Sequence, residues 1–466
     1  MKKTFLILAL FFFVFTKAQR TLGLLTQTTG SRPGYVLFAP LNSTSTFLID
    51  KCGKLVHQWK SKYMPGQSVY LLPNGHLLRT ADDSNKVFHT SGGRVELYDW
   101  NSKVLWSYSI SDSLRCMHHD VYPLPNGNIL ALVWEKKTRA EAIAAGRNPT
   151  LLGACLWTEK ILELKPKGKN GAKIVWEWKV WDHLIQDFDS SKANYGIVAD
   201  HPERMDINFL ASEDMDWLHF NSLAFHAELN QILVSNRNHS EFFIVDHSAN
   251  SKQTATNKGG KQNRGGNLLY RWGNPRAYAS GGTIHQQLFK QHSAEWIGKG
   301  LPDEGKIIVF NNGLERPDSM YSTVDVIDPP MTKNGGYSRE PGKSFLPQNP
   351  YWQYQAPKAS DFFSKNVSGA QRLANGNTLV CSGFNGRFFE LDSSKNVVWL
   401  YINPVNLQGA HAQGESIFDN RCFRCVFYEP DYSGLKNKTL SPGKPIETGD
   451  EHYPCLLVSP EPKSLK

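Results

Sequence analysis

The chain has 466 residues, 40% of them hydrophobic and 12% aromatic, with a formal net charge of +9. It is too apolar to be disordered and too long to be a peptide-sized module. Its 52 Lys and Arg are interspersed with 43 Asp and Glu, a diffuse excess that argues against nucleic acid and suits small anionic ligands.

The N-terminus reads Met1-Lys2-Lys3-Thr4, then an apolar run over 5–15, then Thr16-Lys17-Ala18-Gln19. A basic start, a short apolar core and a small residue near its end predict a secretory signal peptide over 1–19. The run is shorter than the roughly 20 apolar residues a membrane span needs. The expectation is an exported chain, periplasmic or secreted, with no membrane anchor after cleavage. Cleavage would also remove Lys2, Lys3 and Lys17, leaving a formal +6.

Two short patterns then recur. One is a turn before an apolar strand: Leu72-Pro73-Asn74-Gly75, Leu124-Pro125-Asn126-Gly127 and Leu373-Ala374-Asn375-Gly376. Asn-Gly favours hairpins because both residues tolerate positive φ. The other is an outer strand ending in aromatics, as in Leu55-Val56-His57-Gln58-Trp59, Val104-Leu105-Trp106-Ser107-Tyr108, Ile174-Val175-Trp176-Glu177-Trp178, Leu268-Leu269-Tyr270-Arg271-Trp272 and Val397-Val398-Trp399-Leu400-Tyr401. In order they mark about six copies, near 33–59, 69–108, 118–178, 219–272, 292–354 and 368–401. Each reads as an antiparallel meander that must stack on its neighbours to bury its faces. The predicted fold is all-β: a six-bladed β-propeller of antiparallel four-stranded sheets, preferred to a pair of β-sandwiches. It would span 20–430, with exposed inserted loops over 250–267 and 329–348 and a C-terminal extension, 431–466, packed on it.

Seven cysteines follow the signal, an odd number. Cys422 and Cys425 form a C-x-x-C with Cys455 thirty residues on, and no second close pair makes a zinc ribbon. A C-terminal disulfide is expected instead.

Inner strands of a propeller line its central channel, so residues at their starts converge. The third copy opens with His118-His119-Asp120, the fourth with Asp216-Trp217-Leu218-His219, and the fifth with Gln291-His292; the sixth has Ser368 at the aligned place. Alternation on a strand would send His118 and His119 to opposite faces, and His119 is the one expected in the channel. Imidazoles supply bases, acids, nucleophiles or metal ligands. Arg237, in Ser235-Asn236-Arg237-Asn238, and Arg316, after Asn312-Gly313, are candidate partners for an anion, because guanidinium bonds two oxygens at once. No metal, nucleotide or flavin motif is present, and no cofactor is expected.

Taken in order, these strings resemble the bacterial arylsulfotransferase family, exported aryl-sulfate sulfotransferases that use no nucleotide donor. The resemblance implies a six-bladed propeller with sulfuryl transfer in its channel, from a small phenolic sulfate to a phenolic acceptor through a sulfo-histidine. It points to His219, His292 and Arg316 as catalytic positions. It also implies a nucleophilic histidine downstream of the arginine, for which His411 is the candidate, with His119 and Arg237 binding substrate. A homodimer is a compatible assembly; nucleic acid is not an expected partner. The rival readings are a non-catalytic propeller binding an anionic or aromatic ligand or a protein, and a metal-dependent hydrolase.

Overall fold

The computed structural model describes residues 20–88, 91–211, 215–449 and 455. The expected signal peptide lies outside them. The sequence copies become runs of antiparallel strands close to their expected bounds, such as Phe220–His226 through Tyr270–Trp272 and His292–Trp296 through Trp352–Tyr354. The arrangement is all-β and propeller-like. Among the described residues the α-helix is Arg139–Ala144, six residues capped by Thr138 and Glu141. Among the described residues no helix is long and apolar enough to cross a membrane.

Four sheets stand as separate blade-like units of four or five strands, not six. The inner strands Pro65–Leu71 and Arg115–Pro123 pair in parallel at Gln67 and His119, and this fuses the second and third copies into one eight-stranded sheet. The last copy gains a fifth strand from the chain's start, where Gly23–Gln27 pairs with Val397–Ile402. The first copy has three strands of its own. Its inner strand, Cys422–Tyr428, comes from the other end of the chain and pairs with Tyr35–Pro40.

The recurring aromatics explain how neighbouring copies hold together. Buried indoles need a partner for N–H, and those of Trp59, Trp106, Trp178, Trp272 and Trp399 donate to the backbone of the neighbouring copy. Trp59 bonds the Asp99 carbonyl at 3.1 Å, Trp106 that of Gly171 at 2.7 Å, Trp178 that of Gly266 at 2.7 Å, and Trp272 that of Pro347 at 2.7 Å. Trp399, in the last copy, bonds the Lys51 carbonyl of the first at 2.8 Å. Apolar layers fill the same boundaries, for example Phe38, Phe388, Trp399 and Tyr401 between last and first.

The loop over 250–267 is only partly the exposed insertion expected. Lys252, Lys258, Lys261 and Arg264 are exposed, but Thr254 and Asn267 are buried and hold His183 between them. The C-x-x-C is no disulfide: Cys422 and Cys425 are free, buried thiols, and Cys455 pairs with Cys52. That crosslink spans 403 residues, so its loss frees a long loop in the unfolded chain. Cys52→Ser is expected to cost about 2–4 kcal/mol, read as a lower urea midpoint under non-reducing conditions.

Candidate active site

The inner strands do not begin as regular strands. His119, His219, Ser293 and Ser368 all have positive φ, at 49°, 58°, 53° and 90°. Pairing registers shift beside the first three. A left-handed, non-glycine residue costs about 1–3 kcal/mol and is typical of functional sites, and a bulge re-aims the side chains around it. This is why the alternation rule fails at the third copy. With His119 left-handed, His118 and His119 are both buried and their Nδ1 atoms lie 2.9 Å apart.

Four histidines gather here, each in a different electrostatic setting. His118 Nε2 lies 2.8 Å from Glu159 Oε2, and both side chains are wholly buried. Burial lowers His118 to about 3 and raises Glu159 well above the carboxylate range, so the pair is neutral, with the Glu159 hydroxyl donating to His118. Its other oxygen accepts the Phe220 N–H at 2.8 Å. His118 then donates from Nδ1 to His119 Nδ1, which leaves the His119 proton on Nε2. The His119 and His219 rings stand 4.5 Å apart between centroids, with Trp134 edge-on to both.

His219 has Asp216 on its Nδ1, and a fifth of its side chain is exposed. Burial would raise Asp216, but the hydrogen bond from His219 and the positive charge of Arg237 hold its carboxyl below the usual range. The aspartate therefore stays ionised and fixes the tautomer of His219 with its lone pair on Nε2. His292 is different. Its Nδ1 bonds Asn312 Oδ1 at 2.7 Å and its Nε2 accepts the Val367 N–H at 3.2 Å. Both nitrogens are occupied, and burial first, then Arg237, depress it well below ordinary histidine. It joins two inner-strand starts.

The cations lie on one side. Arg237 is half-buried, bonds Asn238, and acts on Asp216, Glu315, His119 and His292. Lys290 reaches Glu315 at 3.4 Å. Arg316 stacks between Phe289 and Tyr321 at 4.8 and 4.4 Å and bonds the Tyr321 carbonyl at 3.3 Å. Gly313 permits this fold-back: its φ is 74°, and a Cβ there would lie 1.6 Å from the Tyr321 carbonyl oxygen. Arg316 forms no ion pair among the described residues, so its charge is available to an anion.

His411 is not brought into this group. Its ring is held by Glu415 at 2.9 Å and Asn406 at 3.0 Å on the hairpin of Val405–Asn406 and Gly409–Ala410. Those partners lie in the connection between an outer strand and Cys422–Tyr428, not at an inner-strand start. Ser368, at the aligned channel position, has its hydroxyl occupied by Ser364 Oγ at 2.8 Å and the Gly383 N–H at 2.9 Å. Sequence reasoning missed Glu159, Asp216, Lys290 and Trp134. Asp216 had a signal, three residues before His219; Glu159, one of two acids in the strand Cys155–Lys167, had none. No group of three or more potential ligands among the described residues is arranged to hold a metal ion.

The buried neutral histidines set an acid dependence. Unfolded histidine titrates near 6.5, whereas His119 and His292 are held well below it, so below that pH the unfolded chain binds more protons than the native one. Their contribution is complete above 6.5 and falls as pH drops; His118 and Glu159 offset one another. The urea midpoint is expected to fall between pH 7 and pH 5, with a shallower slope in His292→Gln. Equal slopes in both proteins would refute the assignment.

The sequence profile described as Arylsulfotransferase (ASST) matches residues 25–416. No curated protein matches the chain. Among solved structures, a protein of unknown function from Bacteroides caccae is 13% identical with a TM-score of 0.42, covering 80% of this chain and 95% of that one. Hydrazine synthase of Kuenenia stuttgartiensis is 14% identical with a TM-score of 0.34, covering 63% and 67%. Virginiamycin B lyase from Staphylococcus aureus is 9% identical with a TM-score of 0.36, covering 81% and 87%. At these scores the structural likenesses carry no argument.

Proposed function

The chain belongs to the arylsulfotransferase family, and from that premise we propose that it moves a sulfuryl group from a phenolic sulfate to a phenolic acceptor through a sulfo-histidine on His219, without a nucleotide donor. One observation carries the choice of residue. Of the four clustered histidines, His219 combines an ionised aspartate on Nδ1, an Nε2 with no hydrogen-bond partner among the described residues, and exposure to solvent.

In the first step His219 Nε2 attacks sulfur, the bond from sulfur to the aryl oxygen breaks, and the departing phenolate takes the proton of His119 Nε2 while His119 Nδ1 takes that of His118 Nδ1 and His118 Nε2 that of Glu159, so the negative charge comes to rest on the Glu159 carboxylate. Asp216 stabilises the charge left on the His219 ring, as an orienting carboxylate does for an acylating histidine pair. In the second step the acceptor phenol gives its proton back to His119 and its oxygen attacks sulfur, which breaks the N–S bond and restores His219. Arg237, with Arg316 beyond the Lys290–Glu315 pair, supplies positive charge for the sulfuryl oxygens. His292 holds the inner-strand starts in place. The same reading makes 1–19 a signal peptide, 20–430 the catalytic propeller and 431–466 an extension on an exported protein.

The test is the purified protein with 4-nitrophenyl sulfate, with and without phenol. Phenol-dependent nitrophenol release with sulfated phenol as product is the expected result. Ser368 favours a second reading, a propeller that binds the anion without transferring it, because no histidine stands at that inner-strand start and its hydroxyl is fully engaged. Saturable binding of the aryl sulfate with no turnover would establish that reading instead.

A further inference from the structure

A cavity of about 80 Å³ lies inside the ring, walled by four inner strands: Pro65–Leu71, His292–Trp296, Gly369–Arg372 and Cys422–Tyr428. Glu295 is three residues past His292, so the cavity lies roughly 10 Å along the strand from the histidine cluster. None of the four clustered histidines lines it, and its ionisable lining residues are Tyr70, Glu295, Arg424 and Cys425.

Hydrogen bonds within the wall occupy most of its polar groups. Ser293 Oγ donates to the Ser368 carbonyl at 2.8 Å. Gln371 is closed on the Phe427 backbone, accepting its N–H at 2.8 Å and donating to its carbonyl at 3.2 Å. Arg424 Nη2 donates to Asp120 Oδ1 at 2.7 Å and to the Tyr70 hydroxyl, which itself donates to Asp120 Oδ1 at 2.8 Å. Asp120 Oδ2 accepts the Leu223 N–H at 3.1 Å. Two groups are left over. Arg424 Nε and Nη1 make no hydrogen bond with any described residue, and the Glu295 carboxyl makes neither a hydrogen bond nor an ion pair with one. Guanidinium and carboxyl feel each other's charge across the cavity without touching.

That gap has room for a bridging ligand, and the donors decide its charge. Burial raises Glu295 to about 7, with Arg424 opposing and Asp120 adding to the rise. Tyr70, Tyr122 and Tyr428 face it from neighbouring strands, and burial keeps their hydroxyls protonated. Cys425 is a free, buried thiol, and the His226 ring stands edge-on to Trp296 at 5.4 Å. Below that pH the unused groups are therefore the Arg424 N–H and the Glu295 O–H, both donors. A cation would meet the guanidinium, and an apolar guest would leave the donors unpaired, at about 1–3 kcal/mol each. An anion accepts from both, and guanidinium suits the oxygens of a carboxylate. The space is about half of the roughly 150 Å³ that takes up benzene, which suits three or four heavy atoms.

We propose that this cavity is a binding site for a small carboxylate anion of the size of formate or acetate, held by Arg424 and taken up together with a proton on Glu295. The site is separate from the histidines and independent of sulfuryl transfer.

The test uses the full-length protein and saturation-transfer NMR with acetate and formate, with methanol and methylammonium as neutral and cationic controls. At least one carboxylate is expected to bind saturably at pH 6 with a Kd of order 1 mM. Binding should be at least about tenfold weaker at pH 8.5, where ionised Glu295 repels the anion. Glu295→Gln keeps a neutral donor and is expected to bind equally at both pH values. Arg424→Gln/Asp120→Asn, which removes both charges of the pair and so leaves none bare, is expected to weaken binding by at least about tenfold. Arg237→Met, at the histidine end, should leave it unchanged. Absence of saturable binding by both carboxylates at pH 6 overturns the proposal, as does equal binding of methanol or methylammonium. So does a wild-type pH dependence in Glu295→Gln, which is informative even where the double variant does not fold. Loss of binding in Arg237→Met would place the carboxylate among the histidines and also overturn it. The readout is binding alone, so its failure is distinct from a failure of aryl sulfate turnover.

Discussion

His219→Ala is expected to lower phenol-dependent sulfuryl transfer by at least about 10³-fold, the scale on which loss of a nucleophile or its base is felt, with aryl sulfate binding retained. The reason is the division of labour among four adjacent rings. His118 is consumed by Glu159 and His119, and His292 by Asn312 and Val367. His119 carries its proton outward, and only His219 presents a lone pair backed by an ionised carboxylate. Asp216→Asn should keep the geometry but lose the charge that favours the reactive tautomer, giving a smaller drop mainly in kcat. Rapid quenching with labelled donor should trap label on the wild-type protein and none on His219→Ala. Label that persists in the variant, or turnover within a few-fold of wild type, refutes the assignment.

Arg271→Met should be strongly destabilising. Arg271 and Glu241 are fully buried and paired through two bonds, 2.9 and 2.7 Å. The guanidinium also donates to the Arg204 carbonyl at 2.8 Å. Removing the cation leaves Glu241 buried without its partner, a loss of about 3–5 kcal/mol. The Glu241 carbonyl accepts from Gln291, the residue before His292, so activity should fall together with stability. Urea unfolding of Arg271→Met against the double variant Arg271→Met/Glu241→Leu makes the point specific. The double variant is expected to recover part of the loss, because no bare charge remains inside. A double variant less stable than the single one would contradict this account.

What could be read from the sequence follows a physical divide. The Asn-Gly turns and the aromatic ends of outer strands are local signals, and the strands fall where they predict. The fusion of two copies through Gln67 and His119 has no local signal, because a parallel pair between distant strands depends on how the bulged strand starts meet. His119, His219 and His292 were legible as a recurring position, but their different roles were not. Those depend on φ at each residue and on which partner each ring meets, Asp216 three residues before His219 but Asn312 and Val367, 20 and 75 positions away, for His292. His411 looked suitable because few histidines lie downstream of Arg316, and its nearest acceptors turned out to be Glu415 and Asn406 on its own hairpin. Composition made the chain basic overall; the cations that bear on the site are Arg237, Lys290 and Arg316, placed by loops.

The join between the first and last copies also governs biogenesis. The edge of Tyr35–Pro40 has no partner until Cys422–Tyr428 has been made, and the outer edge of Val397–Ile402 is covered by the earliest described strand, Gly23–Gln27. A nascent chain therefore carries an open, apolar strand edge until Cys422–Tyr428 has been made, the condition under which sheets aggregate edge to edge. The ring cannot close stepwise during translation. Its closure is a late event, and the Cys52–Cys455 bond can form only after that event has brought the ends together.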